Sequence, residues 1–279
     1  MQFDQVIGQK AVKEQLVQLV QQNRLSHALL FLGREGSGGL PLAMAFAQYI
    51  VCEKVQAWLR PAAAGPSLFG DPEPTPVPSA APADSCGTCP ACVKAQQLVH
   101  PDIHYSYPVI PQKSGDKPIS TDYITEWREF IRQYPYGNVY DWLQSIKAEN
   151  RQGNITAEEC NDITRKISLK SFESGYKILL TWMPESRAKS GNNLLKLIEE
   201  PPPNTLFVLV AENEEQILPT ILSRTQLVKL QRLSHQEIEA ALELRAGAQM
   251  DKARRVASLC DGNYHEALQL LQQEENDWE

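Results

Sequence analysis

Leu29-Leu30-Phe31-Leu32-Gly33-Arg34-Glu35-Gly36-Ser37-Gly38-Gly39-Leu40-Pro41-Leu42-Ala43 decides the fold. An apolar run of strand length meets a glycine-rich turn, and an Ala/Met/Phe-rich helical pattern continues to about Ile50. Strand, glycine loop and helix in that order build a phosphate-binding loop, because backbone N–H groups at the helix start face the anion. On the pattern G-x-x-x-x-G-K-[ST], Gly33 and Gly38 fall in place, with Gly36 between them. Gly39 stands where the lysine is needed and Leu40 where the Ser/Thr is needed. A cradle without the cation and the Mg²⁺-binding hydroxyl cannot neutralise a transferred phosphate. Pro41 removes a further N–H from the helix start. Gly33, Gly36 and Gly38 are therefore candidate cradle residues of a degenerate, non-functional loop.

Composition narrows the class. The chain has 279 residues, 42% hydrophobic and 22% charged, which is globular and long enough for more than one domain. A net charge of -7 argues against a dedicated nucleic-acid binder. Met1-Gln2-Phe3-Asp4 lacks the start of a signal peptide, and no apolar run approaches membrane-span length. The expectation is a cytoplasmic protein with no membrane contact. Its six cysteines are then reduced, and a cluster of them implies metal before disulfide.

Such a cluster exists. Cys86, Cys89 and Cys92 are spaced by two residues, as in a metal knuckle, and Cys52 can supply a fourth ligand from the preceding helix. Four sulfur ligands leave no open position, so the reading is a structural zinc site over about 52–92. Between the ligands, Pro61, Pro66, Pro72, Pro74, Pro76, Pro78 and Pro82 mark residues 56–84 as a flexible, disordered loop.

Working outward, Val12, Leu16, Leu19 and Val20 form the apolar face of a first helix, and His27 reads as a packed residue at a strand entrance. His100, Asp102 and His104 have ligand-type side chains but no third cluster, so a structural role is favoured. His104–Pro108 reads as a strand, and 121–133 and 140–149 as helices. Thr156 and Glu159 form a capping box for a helix bearing Ile163 and Ile167, on which Cys160 is inert. Lys177–Trp182 reads as a buried strand. In a nucleotide-hydrolysing fold it would end in Asp-Glu; here Trp182-Met183-Pro184 follows, and the first acid is Glu185. A helix over 192–200 stopped by Pro201-Pro202-Pro203, a strand from Thr205 to Val210 and a short helix over 216–222 lead to Ser223-Arg224-Thr225-Gln226. Leu227–Leu230 makes a last strand. From the capping box Ser234/Glu237 onward the pattern is helical, which sets domains of 1–233 and 234–279, with Cys260 a core thiol.

Taken together, Ile7-Gly8-Gln9, Arg24-Leu25-Ser26-His27-Ala28, the Cys52/Cys86/Cys89/Cys92 set, His100-Pro101-Asp102, Leu194–Pro202 and Ser223-Arg224-Thr225-Gln226 resemble the bacterial DNA polymerase III clamp loader subunits. The resemblance covers nearly the whole chain. It implies an α/β, AAA+ P-loop-type fold: a parallel five-stranded sheet flanked by helices, an inserted zinc knuckle, and a small helical lid. It implies a clamp loader role with gamma/tau and delta subunits as partners, and with the sliding clamp and primer-template DNA reached through the complex. In the family a Ser-Arg-Cys motif presents an arginine finger in trans; Ser223 and Arg224 match it, and Thr225 replaces the cysteine. The lid's sensor arginine falls at His265. With Gly39 and Trp182, that makes three departures at the chain's own nucleotide site. They align it with the non-hydrolysing member of the family, so no ATPase activity is expected, with an ATP-hydrolysing motor of the same fold as the alternative. Family members also carry a C-terminal collar domain, and the resemblance here stops at the lid.

Overall fold

The apolar run Ala28–Leu32 forms β1, and both of its faces are buried. Leu29 and Phe31 enter one core, whereas Ala28, Leu30 and Leu32 enter another. That division is the period-two consequence of a strand with helices on each side, and it explains why the run is apolar throughout. The computed structural model describes residues 1–59, 81–111, 113, 115–148, 151–186 and 192–276.

Helix α1 (Lys10–Gln21) precedes β1; Val12, Leu16, Val17 and Val20 are its buried face, with Val17 in the place expected of Leu19. After β1 come α2 (Gly39–Val51), α3 (Glu53–Leu59), α4 (Pro90–Gln96) and β2 (Ile103–Ser106). Next are α5 (Ile124–Gln133), α6 (Val139–Ser145) and α7 (Ala157–Ser168), leading to β3 (Lys177–Trp182). Then α8 (Asn192–Glu199), β4 (Thr205–Ala211), α9 (Pro219–Leu222) and β5 (Gln226–Lys229) complete the sheet. All strand pairs are parallel, in the order β2-β3-β4-β1-β5. The carboxyl ends of β1 and β4 therefore lie side by side, the place where an open parallel sheet binds ligands.

Helices α10 (His235–Ala246), α11 (Met250–Leu259) and α12 (Tyr264–Asn276) form a lid with its own core of Ile238, Leu242, Val256 and Leu271, which also takes in Ile7, Tyr136 and Leu233. Ser234 and Glu237 form the expected reciprocal capping box.

Several expectations need correction. The Thr156/Glu159 box is half made: Thr156 Oγ1 accepts the Glu159 N–H, but the Glu159 carboxylate accepts the Ser120 N–H at 2.6 Å. A buried partner elsewhere outcompetes the cap. The expected loop over 56–84 is shorter, because Gln56–Leu59 complete α3 and Pro82 O accepts from Tyr49 Oη at 2.8 Å. Residues 60–80 of it lie outside the described residues. The expected strand 104–108 is Ile103–Ser106, the helix over 140–149 ends at Ser145, and the helix over 216–222 is reduced to Pro219–Leu222.

Candidate functional site

The glycine loop sits where β1 ends. Gly33 N–H donates to Ala211 O at 3.1 Å, tying the loop to β4. Gly36 and Gly38 have φ of +72° and +92°, left-handed values that a side chain resists. A Cβ on Gly36 would also run into Asn263 of the lid, and Tyr264 N–H donates to Gly36 O at 3.3 Å. At Gly39, the lysine position, a Cβ would stand 3.1 Å from Val210 Cγ1.

The loop's concave side is filled from elsewhere. Pro135, Tyr136 and Gly137, between α5 and α6, lie over Gly33, Gly36, Gly38 and Gly39 and leave a space of about 20 Å³, room for about one water. Tyr136 Cε1 would stand 3.1 Å from a Cβ on Gly38. Its hydroxyl accepts the Ile7 N–H at 2.8 Å, and its ring meets Tyr264 edge-on at 5.0 Å. Burial pushes its phenol up to about 12.

Charged groups of both signs stand at the loop, with Arg34 on its edge. Glu212 lines the same space. Burial, together with the charges of Glu35 and Glu185, pushes its carboxyl up to about 7. Glu185, the first acid after β3, accepts the N–H groups of Glu212 at 2.6 Å and Asn213 at 3.0 Å, so it braces the turn after β4. Trp182, at the position of the missing acid, packs on Trp127 (5.3 Å) and Phe130 (6.0 Å) in a cluster that includes Trp142 and Tyr107. His265 Nε2 lies 3.1 Å from Asp141 Oδ2 on α6 and 3.0 Å from Gln269 Nε2, buried against that helix.

Arg224 lies at the other end of the sheet. Gln226 pairs with Leu29, so Arg224 is level with His27, and the stretch from 27 to 33 places it about 20 Å from Gly33 at ~3.3 Å per residue. It cannot serve its own loop. Its Nη1 donates to Thr220 O (3.0 Å) and Ser223 Oγ (3.2 Å), capping α9, and its Nη2 lies 2.8 Å from Glu199 Oε1. The side chain is 38% exposed. Ser223 Oγ donates to Thr220 O at 3.2 Å. The guanidinium is thus partly engaged within its own chain. Glu199 comes from the helix that ends at the Pro201–Pro203 turn, which brings the two motifs together.

The four knuckle cysteines converge as expected. The sulfur atoms of Cys52, Cys86, Cys89 and Cys92 all lie within 4.8 Å of one another, so they are close enough to hold one metal ion. Cys52 ends α2 and Cys89 caps α4. Backbone N–H groups donate to three of the sulfurs: Cys86 to Cys52 and Cys89 to Cys86 at 3.3 Å, and Cys92 to Cys89 at 3.5 Å. Such donors stabilise thiolates. Hydrogen bonding from Cys92 brings the Cys52 thiol down to about 4 and pushes that of Cys92 up. Cys160 and Cys260 are buried and stand apart from this group.

His100 and Asp102 are engaged with the backbone of a loop and of each other. Asp102, 2% exposed, accepts the N–H groups of Phe172, Glu173 and Ser174 at 2.6, 2.8 and 2.7 Å. His100 Nδ1 accepts the Asp102 N–H at 3.1 Å. Burial lowers His104 to about 4 on β2. His27, expected to be packed at the strand entrance, is instead exposed, with its Nε2 3.0 Å from Ile198 O.

A parallel β2-β3-β4-β1-β5 sheet with a glycine loop after β1, a three-helix lid folded on that loop and a four-cysteine knuckle between α2 and β2 is an AAA+ module. The chain belongs to the family described as "DNA polymerase III, delta subunit", whose sequence profile matches residues 8–64 and 78–234. It is delta-prime-like: it is 27% identical to DNA polymerase III subunit delta' of Bacillus subtilis (strain 168) over 267 residues, 96% of this chain and 60% of that protein. It is also 27% identical to subunit delta' of Pseudomonas aeruginosa over 200 residues, 71% of this chain and 41% of that protein. Subunit tau of B. subtilis is 24% identical over 278 residues, 97% of this chain and 37% of that protein. The chain spans no more than 60% of the length of these relatives. A Thermotoga maritima RuvB variant shares the fold, with a TM-score of 0.50 at 14% identity over 97% of this chain and 62% of that one. No helix among the described residues is long and apolar enough to cross a membrane.

Proposed function

We propose that this chain is a non-hydrolysing subunit of the DNA polymerase III clamp loader, part of the DNA polymerase III holoenzyme, that helps load the sliding clamp onto primed DNA in the cytoplasm. Its partners in this reading are the gamma/tau and delta subunits; the clamp and primer-template DNA are reached through the complex. One observation carries the reading. The chain's own nucleotide site lacks lysine and magnesium carboxylate and is filled by Tyr136 and edged by Glu212, while an arginine stands at the opposite end of the sheet. Residues 1–233 act as the AAA+ domain and 234–279 as the lid.

Arg224, supported by Ser223, is the finger: always charged, with a planar fork that meets phosphate oxygens bidentately. Its ion pair with Glu199 is half-exposed and is worth about 0–1 kcal/mol in such a setting, so exchanging the carboxylate for a neighbour's phosphate is cheap. Zinc suits the knuckle: four thiolates at Zn–S distances of about 2.3 Å are ~3.8 Å apart, and Cys86 and Cys92 already lie at 3.9 Å. Its role is structural.

A second reading, an ATP-hydrolysing motor, has the likeness to tau in its favour. It would need Gly39, Trp182 and His265 all replaced in function. Reconstitution separates the two: the first requires a complex whose turnover depends on this subunit without the subunit turning over alone. Turnover by the isolated chain would favour the second.

A further inference from the structure

We infer that Tyr136 is a built-in ligand: its ring takes the place between the glycine loop, the N-terminal segment and the lid that a nucleotide would occupy, and it holds the lid in one orientation without nucleotide. The inference deepens the non-hydrolysing reading and rests on it, but its test reads lid order in the chain alone and needs neither turnover nor partners.

Three elements that a bound ligand would bridge are bridged by one side chain. Ile7 of the N-terminal segment donates its N–H to Tyr136 Oη. Gly38 presents its bare Cα face to the ring, and a Cβ there would crowd Tyr136. From the lid, Tyr264 contributes both a ring edge for Tyr136 and an N–H for Gly36 O. Tyr136 is 5% exposed and belongs to the same apolar cluster as Leu233, Ile238 and Leu271, although it comes from the segment between α5 and α6.

That segment is itself fixed. Trp127 of α5 and Trp142 of α6 meet at 5.1 Å, and Trp182 of β3 packs on Trp127. Gly137 N–H donates to Tyr134 O at 2.9 Å, closing the turn that presents Tyr136. Gln9 adds a second tie, donating from Nε2 to Ser37 O (3.1 Å) and Gln231 O (2.6 Å) and so joining the loop to the strand that leads into the lid. Replacement of the strand-end acid by Trp182 and occupation of the loop by Tyr136 are thus one packing unit: the tryptophan anchors the helices that aim the tyrosine. The lid needs no nucleotide to stay folded on the sheet.

The test is hydrogen–deuterium exchange on the whole chain with Tyr136→Ala and Tyr136→Phe. In Tyr136→Ala, amides of α10, α12 and Gly36–Gly38 should exchange faster by on the order of a hundredfold, with β3 and β4 unchanged. Millimolar p-cresol, the free side chain of tyrosine, should restore that protection in the variant and leave the wild type unaffected. Tyr136→Phe keeps the ring, so only the Ile7 region should loosen. If Tyr136→Ala does not fold, Tyr136→Leu, bulky but without the ring, carries the same comparison. Wild-type exchange in the lid of the ringless variant, failure of p-cresol to restore protection, or equal loosening by Tyr136→Phe would each overturn the inference.

Discussion

The Asp102 carboxylate accepts the Phe172 N–H at 2.6 Å, and the next two N–H groups of the chain at 2.8 and 2.7 Å. A buried acid before β2 thereby shapes the turn that delivers the chain into β3, and both strands enter the sheet in register, Ile103 opposite Ile178. Burial by itself would raise the Asp102 carboxyl; the three N–H donors outweigh it and hold the group below its ordinary value.

That direction fixes the pH behaviour. A carboxyl depressed in the folded chain contributes stability that is present above its unfolded value, about 3.9, and is lost as pH falls through the lower folded value. Asp102→Ala should cost about 2–4 kcal/mol at pH 7, since it leaves buried N–H groups without an acceptor. Urea midpoints of the two proteins should differ at pH 7 and converge as the pH drops below 4. A difference that stays constant to pH 3 would show that the carboxylate's charge is not what holds the turn.

The knuckle should contain one zinc per chain. Cys89→Ser should lose the metal and unfold α4 locally, because metal-binding free energy is folding free energy in such a site. The sheet should keep its exchange protection, since β1, β3 and β4 do not depend on the knuckle for hydrogen bonds. Deleting residues 60–80 should leave zinc bound, because loop-closure entropy changes only logarithmically with loop length. Elemental analysis of reduced protein purified without chelator, giving clearly less than one zinc, would refute the assignment.

Mg-ATP should bind the isolated chain more weakly than about 1 mM and should not turn over. Gly39→Lys alone should not restore binding: Val210 crowds the new side chain, and Tyr136 and Glu212 remain in place. Calorimetric titration is the measurement, and a micromolar dissociation constant for wild type would contradict the degenerate-loop reading.

Local rules made much of this visible in the sequence. Apolar runs bounded by glycine or proline gave β1, β3 and β4; reciprocal side-chain chemistry gave the Ser234/Glu237 cap; thiol spacing gave the knuckle. The contacts that were not visible join residues far apart in the chain. Tyr136 lies in a Tyr-Pro-Tyr-Gly turn, and nothing local says that its ring crosses to Gly38 and Tyr264. Asp102 reads as a lone acid beside a histidine until the 172–174 turn is folded onto it. Glu159 looks committed to Thr156 until Ser120 arrives as a buried donor. In each case a polar or aromatic group found a better partner through the tertiary fold than the one nearest in sequence.

The last prediction concerns Arg224 and Glu199. If Arg224 were only a cap for α9, Arg224→Ala and Glu199→Gln would each do little beyond lowering the isolated chain's stability, by less than about 1 kcal/mol for a half-exposed pair. If it is a finger, the two substitutions diverge in the reconstituted clamp loader. Arg224→Ala should still assemble but should cut turnover at the one motor site facing it by on the order of a thousandfold. Total ATPase then falls only in part, while clamp loading, which needs concerted turnover, suffers more. Arg224→Lys should not rescue, because an ammonium cannot reproduce the planar fork. Glu199→Gln removes the competing carboxylate and should leave turnover intact or raise it. Clamp-stimulated ATPase of complexes of verified composition is the comparison to make. Equal rates for wild type and Arg224→Ala would leave the arginine as a helix cap, and the finger assignment would have to be withdrawn.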